Sequence, residues 1–199
     1  MHKPIAESCL RNQQAIADTL QPLLSAKANL LEIASGTGQH AVYCCQRMPH
    51  IRWQTSELPV HHQGIKLWLD EAGLDNLLPP ITLDVDHPWP SIVADHIFTA
   101  NSVHFIAQSS VENMFFNAAK ILPAKGLFII YGPVNIDGQY TSAGNARLDA
   151  WLKQSVNPLA GIKDLAYLEQ LAHRNQLQLV DNIMMPANNH LLIFSKALS

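Results

Sequence analysis

The chain has 199 residues, of which 48% are hydrophobic, and its formal net charge is −3. This length predicts one domain, over residues 1–199, that buries a substantial core. The acidic balance gives no basic footprint for nucleic acid, and no apolar run reaches the length of a membrane span. We therefore expect a single domain that binds neither nucleic acid nor membrane.

The cysteines, the histidines and the N-terminus predict a cytoplasmic protein without a metal site. The three cysteines, two of them adjacent at Cys44 and Cys45, lack the spacing of metal ligands or of a disulfide framework. The ten histidines include no HExxH pattern. Polar residues follow the first few positions, where a secretory signal would place an apolar core.

Hydrophobic periodicity predicts helices that alternate with strands. An N-terminal helix covers residues 5–24 and is ended by Pro22. Strands are expected at 29–34, 51–56, 81–85, 95–100, 127–131, 177–185 and 190–195. The last two are joined by so short a turn that they must be antiparallel. A helix is expected over 164–173, and we expect the polar segment 132–161 to form a lid over a site.

This order of elements predicts an α/β fold with three αβα layers, in a Rossmann-like arrangement. Five β/α units imply a mostly parallel sheet with right-handed crossovers. Two further strands would complete a seven-stranded sheet in which the C-terminal strand is antiparallel. That arrangement is typical of class I methyltransferases.

The run from Leu30 to His40 is the most informative stretch of the chain. It contains an apolar strand with one carboxylate, Glu32, and then a turn with Gly36 and Gly38. A carboxylate in an apolar strand is costly to bury without a partner, so we expect it at the strand end, facing a polar ligand. The glycines allow a tight turn and close approach of a ligand, and the next helix points its first N–H groups into that space.

Of two further acids, Glu57 comes just after the second predicted strand and Asp84 lies at the end of the third. Three carboxylates without a lysine suit a cationic, phosphate-free nucleoside such as S-adenosyl-L-methionine. Glu57 can accept both ribose hydroxyls and Asp84 the adenine amino group, while Leu58 and Val85 provide apolar walls. The predicted cofactor residues are Glu32, Ala34, Ser35, Gly36, Thr37, Gly38, Glu57, Leu58, Asp84, Val85 and Asn101.

Other interpretations of these residues stay open. The turn also matches the dinucleotide pattern G-x-G-x-x-G/A, with Glu57 at the spacing of a ribose-binding acid. Three features argue against a nicotinamide-dependent reductase: the acid within the first strand, the acid at the end of the third, and a length that leaves no room for a separate substrate domain. Glu57 could also be a surface residue, and Asp84 or Asp86 could cap the turn before His87.

Asn101 and His104 follow the fourth predicted strand, whose carboxyl end flanks the point where ligands bind in open α/β sheets. His104 is the candidate general base for a methyl acceptor, and the alternative is a partly buried structural histidine. The stretch is not an Asn/Asp-Pro-Pro-Tyr motif, which argues against methylation of adenine or of glutamine amides.

Polar residues without an evident core role could form the acceptor pocket. They are Arg11, Asn12, Tyr131, Asn145, Asp149, Asn188 and Asn189. The alternatives are turn chemistry for Asn188 and Asn189, helix-surface positions for Asn145 and Asp149, and a solvated charge for Arg11.

The chain resembles the methyltransferase-like 26 family over nearly its whole length. The matching stretches are Arg11-Asn12, Leu31 to His40, Trp53 to Glu57, Asn101 to His104, Tyr131-Gly132-Pro133, residues 138–149, Gly161 to Asp164, and Met185 to Asn189. Where the chain has Lys163, that family usually has arginine. The resemblance implies the class I methyltransferase fold and S-adenosylmethionine as cofactor, but it supplies no substrate.

We therefore expect a methyltransferase that acts on a small-molecule acceptor. A cofactor-binding sensor or partner subunit without catalysis is the main alternative, and a nicotinamide-dependent reductase is the second. The sequence predicts no oligomeric state.

Overall fold

A computed structural model describes residues 3–198 of the chain. Its α-helices are α1 (Glu7–Leu23), α2 (Gln39–Arg47), α3 (His62–Ala72), α4 (Gln108–Ile121), α5 (Ala143–Ser155) and α6 (Leu165–Arg174). Its strands are β1 (Ala28–Ile33), β2 (Ile51–Glu57), β3 (Leu77–Thr82), β4 (His96–Ala100), β5 (Leu127–Gly132), β6 (Asn135–Ile136), β7 (Gln139–Tyr140), β8 (Leu177–Met185) and β9 (Asn189–Lys196). None of the helices within residues 3–198 has the length and apolar character needed to cross a membrane.

Seven strands form one sheet in the order β3-β2-β1-β4-β5-β9-β8. Strands β1, β2 and β3 pair in parallel, whereas β9 lies antiparallel to both β5 and β8. Ile129 of β5 faces Ile193 of β9 in this register. The predicted α/β fold with an antiparallel C-terminal strand is confirmed.

The chain divides into two compact units, one that ends at Phe98 and one that begins at Thr99. In the N-terminal unit, the rings of Trp53 and Phe98 meet edge to face with centroids 5.8 Å apart. Both side chains are fully buried, as are the free thiols of Cys44 and Cys45 on α2. These side chains form part of the core of this unit.

Two predicted boundaries in the N-terminal unit are wrong. Helix α1 does not stop at Pro22, which lies inside its last turn. Strand β3 covers Leu77–Thr82 rather than 81–85, and it includes Pro79 and Pro80. The prolines are tolerated because β3 is the outermost strand and its register with β2 shifts beside them.

In the C-terminal unit, three phenylalanine rings form the centre of the core. Phe115 of α4 lies 5.1 Å from Phe128 of β5 and 5.4 Å from Phe194 of β9, measured between ring centroids. The segment 132–161, predicted to be a lid, holds the small hairpin of β6 and β7 and then α5. Helix α5 buries a partly polar face, formed by Asn145, Asp149 and Leu152.

Candidate functional site

Glu32 lies next to the last residue of β1, and only 1% of its surface is exposed. Its Oε2 accepts a hydrogen bond of 3.1 Å from Nε1 of Trp53. Burial raises the pKa of Glu32 to about 7, although hydrogen bonds from Ser35 and Trp53 lower it in part. The nearby charge of Glu57 adds to the increase. The end of β1 therefore holds a carboxyl group that changes its charge near neutral pH.

The predicted glycine turn follows directly and requires left-handed backbone angles. Ala34, Gly36 and Gly38 have φ values of 56°, 58° and 86°. A Cβ on Gly38 would lie 3.2 Å from Cγ2 of Ile65, so this glycine packs against α3. A Cβ on Gly36 would meet nothing within 4 Å. Space therefore remains for a ligand above Gly36, while Gly38 sets the close packing of two helices.

Serines at the ends of β1 and β2 hold the turn in place. The N–H of Ser35 donates to the carbonyl of Ser56 at 2.9 Å, and the N–H of Ser56 donates to Oγ of Ser35 at 3.1 Å. Ser56 also donates its hydroxyl to the carbonyl of Glu32 at 2.6 Å. These bonds fix the turn relative to the carboxylate at the end of β1.

Gln39 is a residue of this site that the sequence reasoning missed. Its Oε1 accepts from the N–H of Ala6, at the start of α1, at 2.6 Å and from Oγ1 of Thr37 at 2.9 Å. Its Nε2 is buried and has no hydrogen-bond partner among residues 3–198. The sequence signal was its position as the first helical residue after the glycine turn. An unpartnered buried donor beside that turn calls for an acceptor.

Asn12 lies in the N-terminal unit and contacts a histidine. Its Oδ1 lies 2.7 Å from Nε2 of His40, whose Nδ1 lies 3.7 Å from Sγ of Cys9. Burial lowers the pKa of His40 to about 4, so this imidazole is neutral at physiological pH. The contact places Asn12 in the packing of α1 against α2. Its neighbour Arg11 is exposed.

Glu57 is half-buried at the end of β2. One carboxylate oxygen accepts from the N–H of Leu58, which follows it and is 42% exposed. The other oxygen has no hydrogen-bond partner among the described residues. Glu57 therefore keeps an acceptor for a ligand.

Asp84 and Val85 lie beyond the end of β3 and not within it. The carboxylate of Asp84 accepts from the N–H of Asp86 at 3.0 Å and lies 2.9 Å from Nδ1 of His87. These are the contacts expected of a residue that caps its own turn. Val85 is half-buried beside it.

His104 belongs to the C-terminal unit and is 4% exposed. Burial, together with the charge of Lys163, lowers its pKa to about 4. Its ring packs against Phe105 with centroids 4.8 Å apart, and it lines a small cavity together with Tyr131. Neither ring nitrogen hydrogen-bonds to another residue within 3–198. His104 is therefore a neutral imidazole with an unengaged lone pair.

The predicted residues Asn101 and Tyr131 meet through the backbone. Asn101 has φ 53°, and its N–H donates to the carbonyl of Tyr131 at 2.9 Å. The side chain of Tyr131 is 2% exposed. This bond fixes the chain where it leaves β4.

Asp149 lies at the centre of a buried polar cluster, so its alternative as a helix-surface residue is wrong. It is 3% exposed. Oδ1 accepts from the N–H of Ile162 at 2.7 Å, and Oδ2 accepts from the Tyr140 hydroxyl at 2.8 Å and from Nζ of Lys153 at 2.6 Å. Burial alone would raise the pKa of Asp149, but these hydrogen bonds outweigh it, so the pKa is lowered.

The three asparagines of the C-terminal unit that were predicted for the acceptor pocket stabilise the backbone. Asn145 is buried, not at the helix surface, and its Nδ2 donates to Oγ1 of Thr141 at 2.8 Å and to the carbonyl of Asn188 at 3.3 Å. Asn188 has φ 57°. Nδ2 of Asn189 donates to the carbonyl of Pro186 at 3.1 Å. Asn188 and Asn189 therefore show the turn chemistry that the sequence left open.

Solved structures with a similar fold include O-methyltransferases. An O-methyltransferase family 2 protein from Planctomyces limnophilus, solved with apigenin, has a TM-score of 0.81 and 22% identity over 93% of this chain and 56% of its own. An O-methyltransferase family protein from Burkholderia thailandensis has a TM-score of 0.80 and 16% identity, over 96% of this chain and 58% of its own. Human N-acetylserotonin methyltransferase, solved with SAM, has a TM-score of 0.82 and 12% identity, over 96% of this chain and 53% of its own.

These similarities show the fold: it is the one that S-adenosylmethionine-dependent methyltransferases have. It spans little more than half the length of each of these proteins. Residues 3–196 match the family described as "Protein of unknown function (DUF938)", and the chain belongs to that family.

Proposed function

We propose that this protein is an S-adenosylmethionine-dependent methyltransferase that acts on a small-molecule acceptor, and that it is a member of the methyltransferase-like 26 family. The observation that carries the proposal is the buried carboxyl group of Glu32 at the end of β1, directly before a left-handed glycine turn. The similarity of the whole fold to methyltransferases supports it.

The donors and acceptors of the N-terminal unit fit this cofactor. The carboxylates of Glu32 and Glu57 complement a positively charged ligand with ribose hydroxyls. The unpartnered Nε2 of Gln39 and the start of α2 complement the carboxylate of its methionine end. Residues 32–41 contain no lysine or arginine, so no side chain of the turn is suited to a pyrophosphate.

When bound, S-adenosylmethionine supplies a methyl group that its sulfonium has already activated. The protein must then hold the acceptor in line and keep water out. We assign to His104 the removal of the acceptor's proton, because a neutral imidazole has a lone pair that can take it. The low exposure of His104 agrees with a reaction that excludes water.

Calorimetric titration of the full chain tests the cofactor assignment. We expect heat from S-adenosylmethionine and S-adenosylhomocysteine, and none from NADH or NADPH. Heat from a nicotinamide cofactor, with none from either adenosyl compound, would contradict the proposal and favour the reductase.

A sensor that binds the cofactor without catalysis is the second candidate. It is favoured by the polar cluster of the C-terminal unit, in which Asp149 and Asn145 already have protein partners. Incubation with methyl-labelled cofactor and fractionated small metabolites separates the two candidates. Label that moves to a metabolite with the parent protein, but not with His104→Ala, supports the enzyme. Tight binding without transfer to any fraction supports the sensor.

A further inference from the structure

Lys163 carries a positive charge that forms no ion pair in the described part of the chain. It is half-buried. Its Nζ donates to the carbonyls of Ile106 and Gly161, both at 2.8 Å. The ion pairs found within residues 3–198 involve Lys3, His87 and Lys153 but not Lys163. An ammonium has three N–H donors, so one remains for a further acceptor.

The carboxylate that acts electrostatically on Lys163, that of Asp149, is already engaged. Asp149 accepts from Lys153, Tyr140 and the N–H of Ile162, and it forms its ion pair with Lys153 at 2.6 Å. The ammonium groups of Lys153 and Lys163 and the carboxylate of Asp149 together carry one net positive charge. The neutral imidazole of His104 adds none. A half-buried charge is costly unless an opposite charge compensates it.

The backbone around Lys163 holds the ammonium in a fixed place. Its own carbonyl accepts from the N–H of Asn135 at 3.0 Å, and the N–H of Gly161 donates to the carbonyl of His104 at 3.0 Å. Gly161 has φ 147°, and a Cβ there would lie 2.8 Å from Oδ1 of Asp149. The two carbonyls therefore face the ammonium through the fold itself, and ligand binding need not organise them.

We propose that the ammonium of Lys163 is an anion-binding centre that takes the carboxylate of an acidic small molecule. In so far as the anion is the methyl acceptor, this inference rests on the function proposed above, and it defines the acceptor class as carboxylic acids. The position of the centre next to His104 would place that carboxylate close to the candidate base.

The electrostatics of the cluster agree with this assignment. Burial lowers the pKa of Lys163 to about 8, and the charge of Lys153 adds to the decrease, while Asp149 opposes it. An anion bound at Nζ would compensate the charge and favour the protonated ammonium.

Amide NMR spectra of the full chain test the proposal with acetate as the probe. Acetate is titrated at constant ionic strength and pH 7, acetamide is the neutral control, and the N–H signals of Gly161 and Ile162 are the reporters. We expect saturable shifts from acetate and an affinity for acetamide lower by about tenfold or more. Lys163→Arg should keep the response to acetate, and Lys163→Met should lose it.

The exposed Lys120 of α4 provides the matched control, since Lys120→Met should respond as the parent does. Dispersed amide signals show whether each variant is folded, and Lys163→Gln replaces the methionine variant if that one is not. Equal responses to acetate and acetamide, or a saturable response that persists in Lys163→Met, would overturn the proposal. The acetate titration contains no cofactor, so an absent acetate response would leave the methyltransferase proposal intact. Conversely, if S-adenosylmethionine added to the same samples did not bind, only the methyltransferase proposal would be refuted.

Discussion

The indole Nε1 of Trp53 lies 3.1 Å from Oε2 of Glu32, and both side chains are almost fully buried. One neutral donor cannot replace the hydration that a carboxylate loses in the interior. The pair therefore tolerates a charge on Glu32 but does not stabilise it fully, as the raised pKa of this residue shows.

We expect Glu32 to make the protein less stable as the pH rises. Its pKa is about 7 in the folded chain against 4.5 for an ordinary glutamate. Between pH 4.5 and about pH 7 the folded state binds more protons than the unfolded state. The free energy of unfolding therefore decreases as the pH rises through this range, by about 3 kcal/mol in total. Urea unfolding at pH 5 and pH 8 measures this. The stability of Glu32→Gln relative to the parent should increase by about 2–3 kcal/mol between the two pH values, and parallel behaviour of the two proteins would contradict the assignment.

Cofactor binding should release a proton when the pH is below 7. A positively charged ligand near Glu32 favours its ionised form and lowers its pKa. Calorimetric titrations at pH 6.5 in buffers of different ionisation enthalpy should therefore give different apparent heats. Glu32→Gln should lose this buffer dependence. The same buffer dependence in Glu32→Gln as in the parent would assign the released proton to another group.

Replacement of Glu57 should weaken cofactor binding without unfolding the protein. One oxygen of its carboxylate has no partner within the described residues, and loss of a charge-assisted acceptor costs about 1.5–3 kcal/mol. Glu57→Ala should raise the dissociation constant for S-adenosylmethionine by about ten- to a hundredfold. Asp70→Ala, an exposed acid on α3, is the control and should bind as the parent does. An unchanged constant in a folded Glu57 variant would place this residue outside the site.

His104→Ala should reduce methyl transfer by about 10²–10⁴-fold if the imidazole is the base. The dissociation constant for the cofactor should hardly change, since the proposal gives His104 a role toward the acceptor and none in holding the cofactor. His173→Ala removes an exposed histidine of α6 and should leave transfer unchanged. A small decrease in the His104 variant would show that this side chain only positions the acceptor.

Gly161→Ala should destabilise the polar cluster of the C-terminal unit. The residue has φ 147°, and the new Cβ would lie 2.8 Å from Oδ1 of Asp149 and 3.0 Å from Cε of Lys153. We expect a loss of about 2–4 kcal/mol in the free energy of unfolding. Gly138 also has a positive φ, but its added Cβ would meet nothing within 4 Å. Gly138→Ala should therefore cost only about 1 kcal/mol, and equal losses in the two variants would exclude the contact with Asp149 as the cause.

The fold could be predicted from the sequence because its strands are short apolar runs separated by clear turns. Strands β1, β2, β4 and β5 begin and end within one residue of the predicted positions. Strand β3 could not be placed correctly because Pro79 and Pro80 look like the end of a strand. The prolines instead lie inside β3, where its register with β2 shifts, and the carbonyl of Pro79 accepts from Nε2 of Gln54 at 2.6 Å.

The site residues that lie together in one short segment could be predicted from the sequence. Contacts between residues from distant segments could not. Glu32 and the two glycines of the turn lie within seven residues of sequence, and their roles follow from local chemistry. The contact between Asn12 and His40 depends on how α1 packs on α2. The donors around Asp149 likewise come from three separate segments, and no spacing in the sequence indicates such contacts.

Pro79 and Pro80 also affect how copies of this protein meet. They lie on the outermost strand of the sheet, the place where a strand from another molecule could add by main-chain pairing. Proline has no amide hydrogen, so this stretch of β3 cannot supply the donors that such pairing needs. The residues that obscured β3 in the sequence therefore protect the sheet against edge-to-edge aggregation at this strand.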